Sequence, residues 1–185
     1  MSKYSIRIIG GSCKRSNIPV AEVPGLRPTP NRVRETLFNW LEHLWHHQFQ
    51  DKSILDLFAG SGALGFEAAS RGAFHVQMVE NHPVALSNLR QVRDKLKLSQ
   101  VRIHNHDAYL VLSRMDASRF DLVLLDPPFN EGHIEKVMPY MNGILKPDGL
   151  IYIESEHRVT LDDNYLMIRE GKAGQVYYQL FQRQS

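Results

Sequence analysis

Residues 53–72 read SILDLFAGSGALGFEAASRG, and the change of character along this stretch decides the fold. "SILDLF" (53–58) is a short apolar run of strand type, and "SGALGFEAASRG" (61–72) has the pattern of a helix closed by Gly72. Gly60, Gly62 and Gly65 stand in GxGxxG spacing at the join. Glycines there permit a tight turn and let a ligand approach the backbone closely. Glu80 lies 20 residues beyond Gly60, at the end of the next apolar run, where an acid can bind ribose hydroxyls. The glycines would also serve a plain strand-to-helix turn. Their setting between strand and helix, with the spaced acid, favours an adenosine-containing cofactor.

The alternation continues outward. "FHVQMVE" (74–80) reads as a strand and "HPVALSNLRQVRDKLKL" (82–98) as a helix with Ala85, Leu89, Val92 and Leu96 on one face and Pro83 in its first turn. "VRIHNHD" (101–107) is a third strand, Ala108 to Met115 a helix, and "FDLVLLD" (120–126) a continuous apolar strand. A helix around Ile134–Leu145, the strand "GLIYIESE" (149–156) and two late β-rich runs near Tyr165–Arg169 and Gln175–Gln182 complete seven strands. Strict alternation of this kind predicts an α/β fold, a mostly parallel seven-stranded sheet with helices on both faces. The first fifty residues differ. "SIRIIGGSCKRSNIPVAEV" suggests a β-hairpin, and a helix follows with Thr29 as its expected N-cap, Pro30 at its first position and Val33, Leu37, Leu41 and Leu44 as its buried stripe.

Of the 185 residues, 43% are apolar and 23% charged, which excludes general disorder. No apolar run approaches the roughly 20 residues that span a bilayer, and the start lacks the apolar core of a signal peptide, so a cytoplasmic location without membrane contact is expected. A single cysteine, Cys13, excludes an internal disulfide and supplies no CxxC metal pair. His43, His46 and His47 have helical i, i+3, i+4 spacing, but no cysteine or fixed carboxylate completes a ligand set, so no metal is expected. The net charge of +2 conceals an asymmetry: residues 1–40 carry seven basic and two acidic residues, and the remainder carries a slight acidic excess. Basic charge at one end suits either a polyanion contact or a solvated face.

"LVLLDPPFNEG" (122–132) ends a buried strand in an acid and two prolines, which cannot donate in a sheet and which stiffen the turn they enter. At the tip of a strand in an open α/β sheet, Asp126 faces the ligand crevice. A carboxylate followed by the Pro127 carbonyl offers two acceptors held in one plane, matching the two N–H donors of a planar exocyclic amino group, and Phe129 can stack on its ring.

"DPPF" is similar to the (N/D)PP(Y/F) signature of S-adenosylmethionine-dependent amino-group methyltransferases, and "LDLFAGSGALGFEA" resembles their cofactor motif. "IRIIGGSCKR", "GLRPTPNRVRETLFNWL", "YIESE" and "AGQVYYQLFQR" together resemble the RsmD family over nearly the whole chain. The resemblance implies a Rossmann-like class I methyltransferase that uses S-adenosyl-L-methionine to methylate N2 of a guanine in 16S ribosomal RNA; RNA within an assembling or assembled small subunit and a monomeric enzyme are expected, with naked RNA as the alternative substrate form. It implies one domain over residues 1–185, with a basic hairpin extension at 1–28 and the catalytic core at 29–185. It further implies that Asp56, Phe58, Gly60, Ser61 and Gly62 line the methionine side of the cofactor, that Glu80 binds the ribose and that Asp107 with Ala108 recognises adenine. Asp126, Pro127 and Phe129 would hold the guanine, and Arg7, Lys14, Arg15, Arg27 and Arg32 are candidates for gripping RNA. Arg34 or Glu35 is a candidate for bracing the cofactor pocket from the helix instead. Adenine N6, a protein glutamine amide, or a noncatalytic RNA-binding role are the rival readings, since DPPF suits exocyclic amines in general.

Overall fold

A computed structural model describes residues 4–24, 28–115, 117–129 and 131–184. Two short strands, β1 (Ser5–Arg7) and β2 (Asn17–Pro19), pair antiparallel as a hairpin. Then come α1 (Asn31–Leu44), β3 (Ser53–Asp56), α2 (Ala63–Ser70), β4 (His75–Glu80), α3 (Pro83–Lys95), β5 (Val101–Asn105), α4 (Ala108–Ser113), β6 (Phe120–Leu125), α5 (His133–Ile144), β7 (Leu145–Ser155), β8 (Tyr165–Ala173) and β9 (Val176–Arg183). The seven strands from β3 on form one sheet in the order β5-β4-β3-β6-β7-β9-β8. β3 to β7 pair in parallel, and β9 enters antiparallel between β7 and β8. This is the expected mostly parallel α/β sheet. The chain leaves β3 toward β4 and β5, then crosses back to lay β6 on the other side of β3, so the strand order reverses between β3 and β6 and opens a crevice at their carboxyl ends.

Period-two alternation along the strands feeds two cores. Ile54, Met78, Leu122, Leu124 and Tyr152 point to the side covered by the hairpin, α1 and α2. Leu55, Val79, Val123, Leu125 and Ile153 point to the side covered by α4 and α5. The α1 stripe is as expected at Val33, Leu37 and Leu41, with Leu44 and both tryptophans partly buried against the same core.

Several boundaries move. β7 starts at Leu145, where α5 ends, because Leu145 already pairs with Phe120 across a bulge before the regular register from Leu122 and Leu150. β8 and β9 extend to a tight turn at Gly174, whose φ of 59° takes the left-handed form. The N-terminal boundary of α1 is corrected: Pro30 occupies the cap position, no side chain caps the helix, and Thr29 is drawn elsewhere. His46 and His47 lie past the end of α1 with φ of 50° and 61°, so the three histidines do not share one helical face.

The hairpin is fastened to α2 by a buried acid. Glu67 is 0% exposed and accepts from the backbone N–H groups of Ile9 and Gly10 at 2.8 Å each. Arg71 donates to it from one turn on, and Arg34 of α1, also 0% exposed, lies 3.8 Å from its second oxygen. Arg34 donates through Nη2 to the Arg7 carbonyl and to Asn31. Burial draws the Arg34 pKa below its usual value, with the Glu67 charge opposing. The expectation that Arg34 or Glu35 braces the cofactor pocket is therefore corrected: Arg34 braces the hairpin, and Glu35 is exposed. Gly11, at φ 76°, passes so close to the end of α2 that a Cβ would sit 1.8 Å from the Ser70 carbonyl oxygen. That approach lets Ser12 and Cys13 donate to Ser70.

Removing Glu67 strands a buried guanidinium and two amides. Glu67→Ala is expected to cost about 3–5 kcal/mol, the range for breaking a buried ion pair from one side. Urea denaturation checks this, and a loss below about 1 kcal/mol would contradict the role given to Glu67.

Candidate active site

The crevice at the strand reversal is a cleft of about 850 Å³. Four adjacent parallel strands each bring an acid to it: Asp56 ends β3, Glu80 ends β4, Asp107 lies two residues past β5, and Asp126 directly follows β6. Glu131 and Glu156 also line it, and no lysine or arginine does among the described residues. Such a wall repels a pyrophosphate and suits a ligand carrying positive charge. S-adenosylmethionine, an adenosyl group on a sulfonium, fits that set of acceptors; a dinucleotide does not.

The glycine turn is built as its sequence implied. Gly60 and Gly62 have φ of 52° and 80°, and Gly62 caps α2. Gly65 serves packing, because a Cβ there would stand 2.3 Å from the Met78 side chain on β4. Two acids hold the turn. Asp56, 2% exposed, accepts from Gly65 N–H at 3.0 Å, and Glu80 accepts from Gly60 N–H at 3.0 Å and from Asn81 and His82 N–H. Glu80 thus lines the cleft while shaping its floor. Burial raises Asp56 to about 7, with the Gly65 hydrogen bond opposing and the charges of Glu80 and Glu154 adding.

Asp107 and Ala108 lie on the cleft wall at the start of α4, where Asp107 Oδ1 accepts from Tyr109 and Leu110 N–H. Beside them Tyr109 stacks on His133, whose Nδ1 hydrogen-bonds the tyrosine hydroxyl and whose Nε2 pairs with Glu131. Phe58 packs against the same imidazole, with ring centroids 5.3 Å apart. No local sequence signal marks this aromatic wall, because its members come from three separate segments. Asp126, Pro127, Pro128 and Phe129 line the same cleft, with Pro127 buried and Pro128 exposed. The structure therefore gathers Asp56, Phe58, Gly60, Ser61, Glu80, Asp107, Ala108, Asp126, Pro127 and Phe129 around one cleft.

A second set is invisible to sequence reasoning. Thr29 Oγ1 lies 2.9 Å from Glu154 Oε1 and 3.3 Å from Asp126 Oδ2, and Tyr152 donates to the same Glu154 oxygen at 2.9 Å. Thr29, Tyr152 and Glu154 are all buried. Asp126 is pushed well above its ordinary value by desolvation and by the charges of Glu154 and Asp56, and desolvation also raises Glu154. The one signal available is an acid inside the apolar run "GLIYIESE".

Arg7, Lys14, Arg15 and Arg32 are all exposed, the first three on the hairpin and Arg32 in the first turn of α1. Arg27 lies outside the described residues. No helix among the described residues is long and apolar enough to cross a membrane.

A family model described as "Conserved hypothetical protein 95" matches residues 6–182. "Ribosomal RNA small subunit methyltransferase D" of Escherichia coli (strain K12) is 41% identical over 185 residues, covering 97% of this chain and 91% of that protein. The solved structure of yhhF from Escherichia coli aligns with a TM-score of 0.87 at 41% identity, over 98% of this chain and 99% of that one. An RNA methyltransferase from Salinibacter ruber, solved with S-adenosyl-L-homocysteine, shares the fold at 16% identity, with a TM-score of 0.63 over 85% of this chain and 94% of that one.

The raised Asp56 value has a thermodynamic consequence. The folded carboxyl keeps its proton up to about pH 7, whereas the unfolded one loses it near 3.8, so between these values the folded state binds more protons. Stability from this group is full below about pH 4 and is lost as pH rises through 7, at up to about 1.4 kcal/mol per unit. Asp56→Asn, which keeps an acceptor for Gly65, is expected to flatten that decline. Urea midpoints measured across the window check it; an unchanged slope would remove Asp56 as the cause.

Proposed function

The chain belongs to the family of the conserved hypothetical protein 95 model, the RsmD family of ribosomal RNA methyltransferases, and from that premise we propose that it methylates the N2 amino group of a guanine in 16S ribosomal RNA. S-adenosylmethionine is the methyl donor and ribosomal RNA the substrate class. Asp126 and Pro127 on the wall of the cleft that also holds the glycine turn support transfer to an exocyclic amine, and membership of the family supports guanine in 16S ribosomal RNA.

When bound, the cofactor supplies an electrophilic methyl carbon whose bond to sulfur breaks with the electron pair leaving on sulfur. Asp56, Phe58 and the turn from Gly60 to Gly62 hold its methionine side, Glu80 its ribose, and Asp107 with Ala108 its adenine. Phe129 stacks on a guanine taken out of its own stack, as any base amine buried in a helix requires. Asp126 and the Pro127 carbonyl accept from the two N–H groups of N2 and aim its lone pair along the line of attack. An aromatic amine delocalises that lone pair into its ring, and acceptors fixed in place favour the pyramidal form and the positive charge that develops on nitrogen. The nitrogen gains its bond to carbon and loses one proton, whose bonding pair stays on nitrogen, and Asp126 receives that proton. The prolines limit how far these acceptors must reorganise.

Exposed basic residues of the hairpin and α1 hold the RNA backbone, since neutralising phosphates releases counterions. Adenine N6 and a protein amide present similar donors to Asp126, and the product distinguishes them.

Incubation with labelled S-adenosylmethionine and naked rRNA, small subunits or DNA, followed by nucleoside analysis, is expected to give N2-methylguanine from rRNA; label in N6-methyladenine would overturn the substrate. Asp126→Ala is expected to bind the cofactor normally and lose at least about 100-fold in methyl transfer, the lower end for an acid–base group. Near wild-type turnover would refute its role. Replacing both Lys14 and Arg15 with Ala is expected to weaken RNA binding and lower the slope of log affinity against log salt by about 1 to 2. An unaltered slope would remove the hairpin from the interface.

A further inference from the structure

The turn that carries Asp126 and Phe129 leaves β6 with two prolines, which have no N–H to donate. Its entry is fixed by the β6 ladder, where Leu125 pairs with Ile153 of β7. At its exit the chain is held at Glu131. The Glu131 side chain accepts from His133 Nε2 at 2.8 Å, and its carbonyl accepts from Lys136 Nζ at 3.0 Å. His133 opens α5 and is held in turn from the opposite side. Its Nδ1 meets the Tyr109 hydroxyl on α4, its ring stacks on that of Tyr109 with centroids 5.9 Å apart, and it packs on Phe58 from the turn after β3 at 5.3 Å. A carboxylate can only accept, so in a neutral imidazole Nε2 carries the hydrogen and Nδ1 accepts from the tyrosine. Tyr109 also donates its N–H to Asp107. One imidazole therefore joins three pieces of the cleft wall: the turn after β3, the start of α4 and the exit of the Asp126 turn.

We propose that His133 is a positioning residue for methyl transfer: by joining Glu131 to Phe58 and Tyr109, it sets how far the turn that holds the amine stands from the wall that holds the cofactor. The inference rests on the reading of Asp126 and Phe129 as holders of the amine and of Phe58 and Asp107 as cofactor residues. Folding stability does not account for the link. The Glu131 side chain is 60% exposed, and a pair open to water adds little to stability. Distance is what the reaction feels most. The amine nitrogen and the methyl carbon must meet in line, and a displacement of about 1 Å costs about 100-fold in rate. Lys136 grips only the Glu131 backbone, so without His133 the exit keeps a tether and loses its register against Phe58 and Tyr109.

The test is single-turnover methyl transfer at saturating cofactor and substrate, using whichever of rRNA, small subunits or DNA takes label, with S-adenosylhomocysteine affinity measured separately by calorimetry. His133→Phe keeps a ring against Phe58 and Tyr109 and removes both hydrogen bonds. It is expected to slow transfer about 10- to 100-fold while S-adenosylhomocysteine affinity changes by less than about 3-fold. His133→Gln, whose amide can still donate to Glu131, is expected to recover most of the rate. Glu131→Ala breaks the same link from the other side and is expected to be slow, whereas Glu131→Gln still accepts and stays near wild type. Adding Glu131→Ala to His133→Phe is expected to cost nothing further, because both remove one interaction.

A wild-type rate in Glu131→Ala, or losses that multiply in the double variant, would overturn the inference. So would a His133→Phe rate restored by more cofactor, which would make the residue part of cofactor binding. Glu131 is exposed, so its two variants fold and decide alone should His133→Phe fail to fold. An inactive Asp126→Ala beside a fast Glu131→Ala sinks only this inference, whereas an active Asp126→Ala sinks the reading beneath it.

Discussion

The rest of the structure depends on how one buried acid on α2 is neutralised. Glu67 sits on the helix that opens with the glycine turn, and it is met at once by α1 through Arg34, by the hairpin backbone at Ile9 and Gly10, and by its own helix through Arg71. Arg71 also pairs with Glu42 of α1, and Arg34 also donates to the Arg7 carbonyl, so the same side chains tie α1 and the hairpin to α2. An isolated charge in that position would cost several kcal/mol, so hairpin, first helix and cofactor helix are stable there only together. The two-stranded hairpin has too few residues to stand alone. It is ordered because it supplies amides to a carboxylate and because Ile6, Ile8, Ile18 and Val20 join the core beneath α1.

At the other end of the same sheet the chain does the reverse, and leaves acids without cations. Among the described residues, Asp56, Asp126 and Glu154 are met by hydroxyl and backbone donors only. A guanidinium there would hold Asp126 firmly ionised but would compete with an incoming amine for it. The site accordingly combines a turn stiffened by two prolines with buried acids that no cation holds ionised among the described residues.

Legibility in the sequence tracks the range of the interactions involved. The order of elements, the glycine turn and Glu80 are local signals, and the seven-stranded sheet can be inferred from alternation alone. Asp126 is findable because the prolines mark where its strand must stop. Thr29 shows the opposite case. A threonine before a proline and an amphipathic stripe satisfies every local rule for a helix cap, yet its hydroxyl is taken by Glu154, 125 residues away. Arg34 reads as a candidate brace of the cofactor pocket until the structure places Glu67 of α2 beside it. Likewise the cluster of Phe58, His133 and Tyr109 depends on the turn after β3 meeting the first turns of α4 and α5, which no single segment announces.

The acidic lining of the cleft also sorts the parts of a polynucleotide. Glu80, Asp107, Glu131 and Glu156 disfavour phosphates in the cleft, while Arg7, Lys14, Arg15 and Arg32 stand exposed on the hairpin and the first turn of α1. A nucleic acid strand can satisfy both surfaces only by leaving its backbone outside and sending a neutral base in alone. For the RNA substrate proposed, charge would act as a sieve before any hydrogen bond is read, and a nucleotide that cannot swing free of its neighbours would be refused at the entrance.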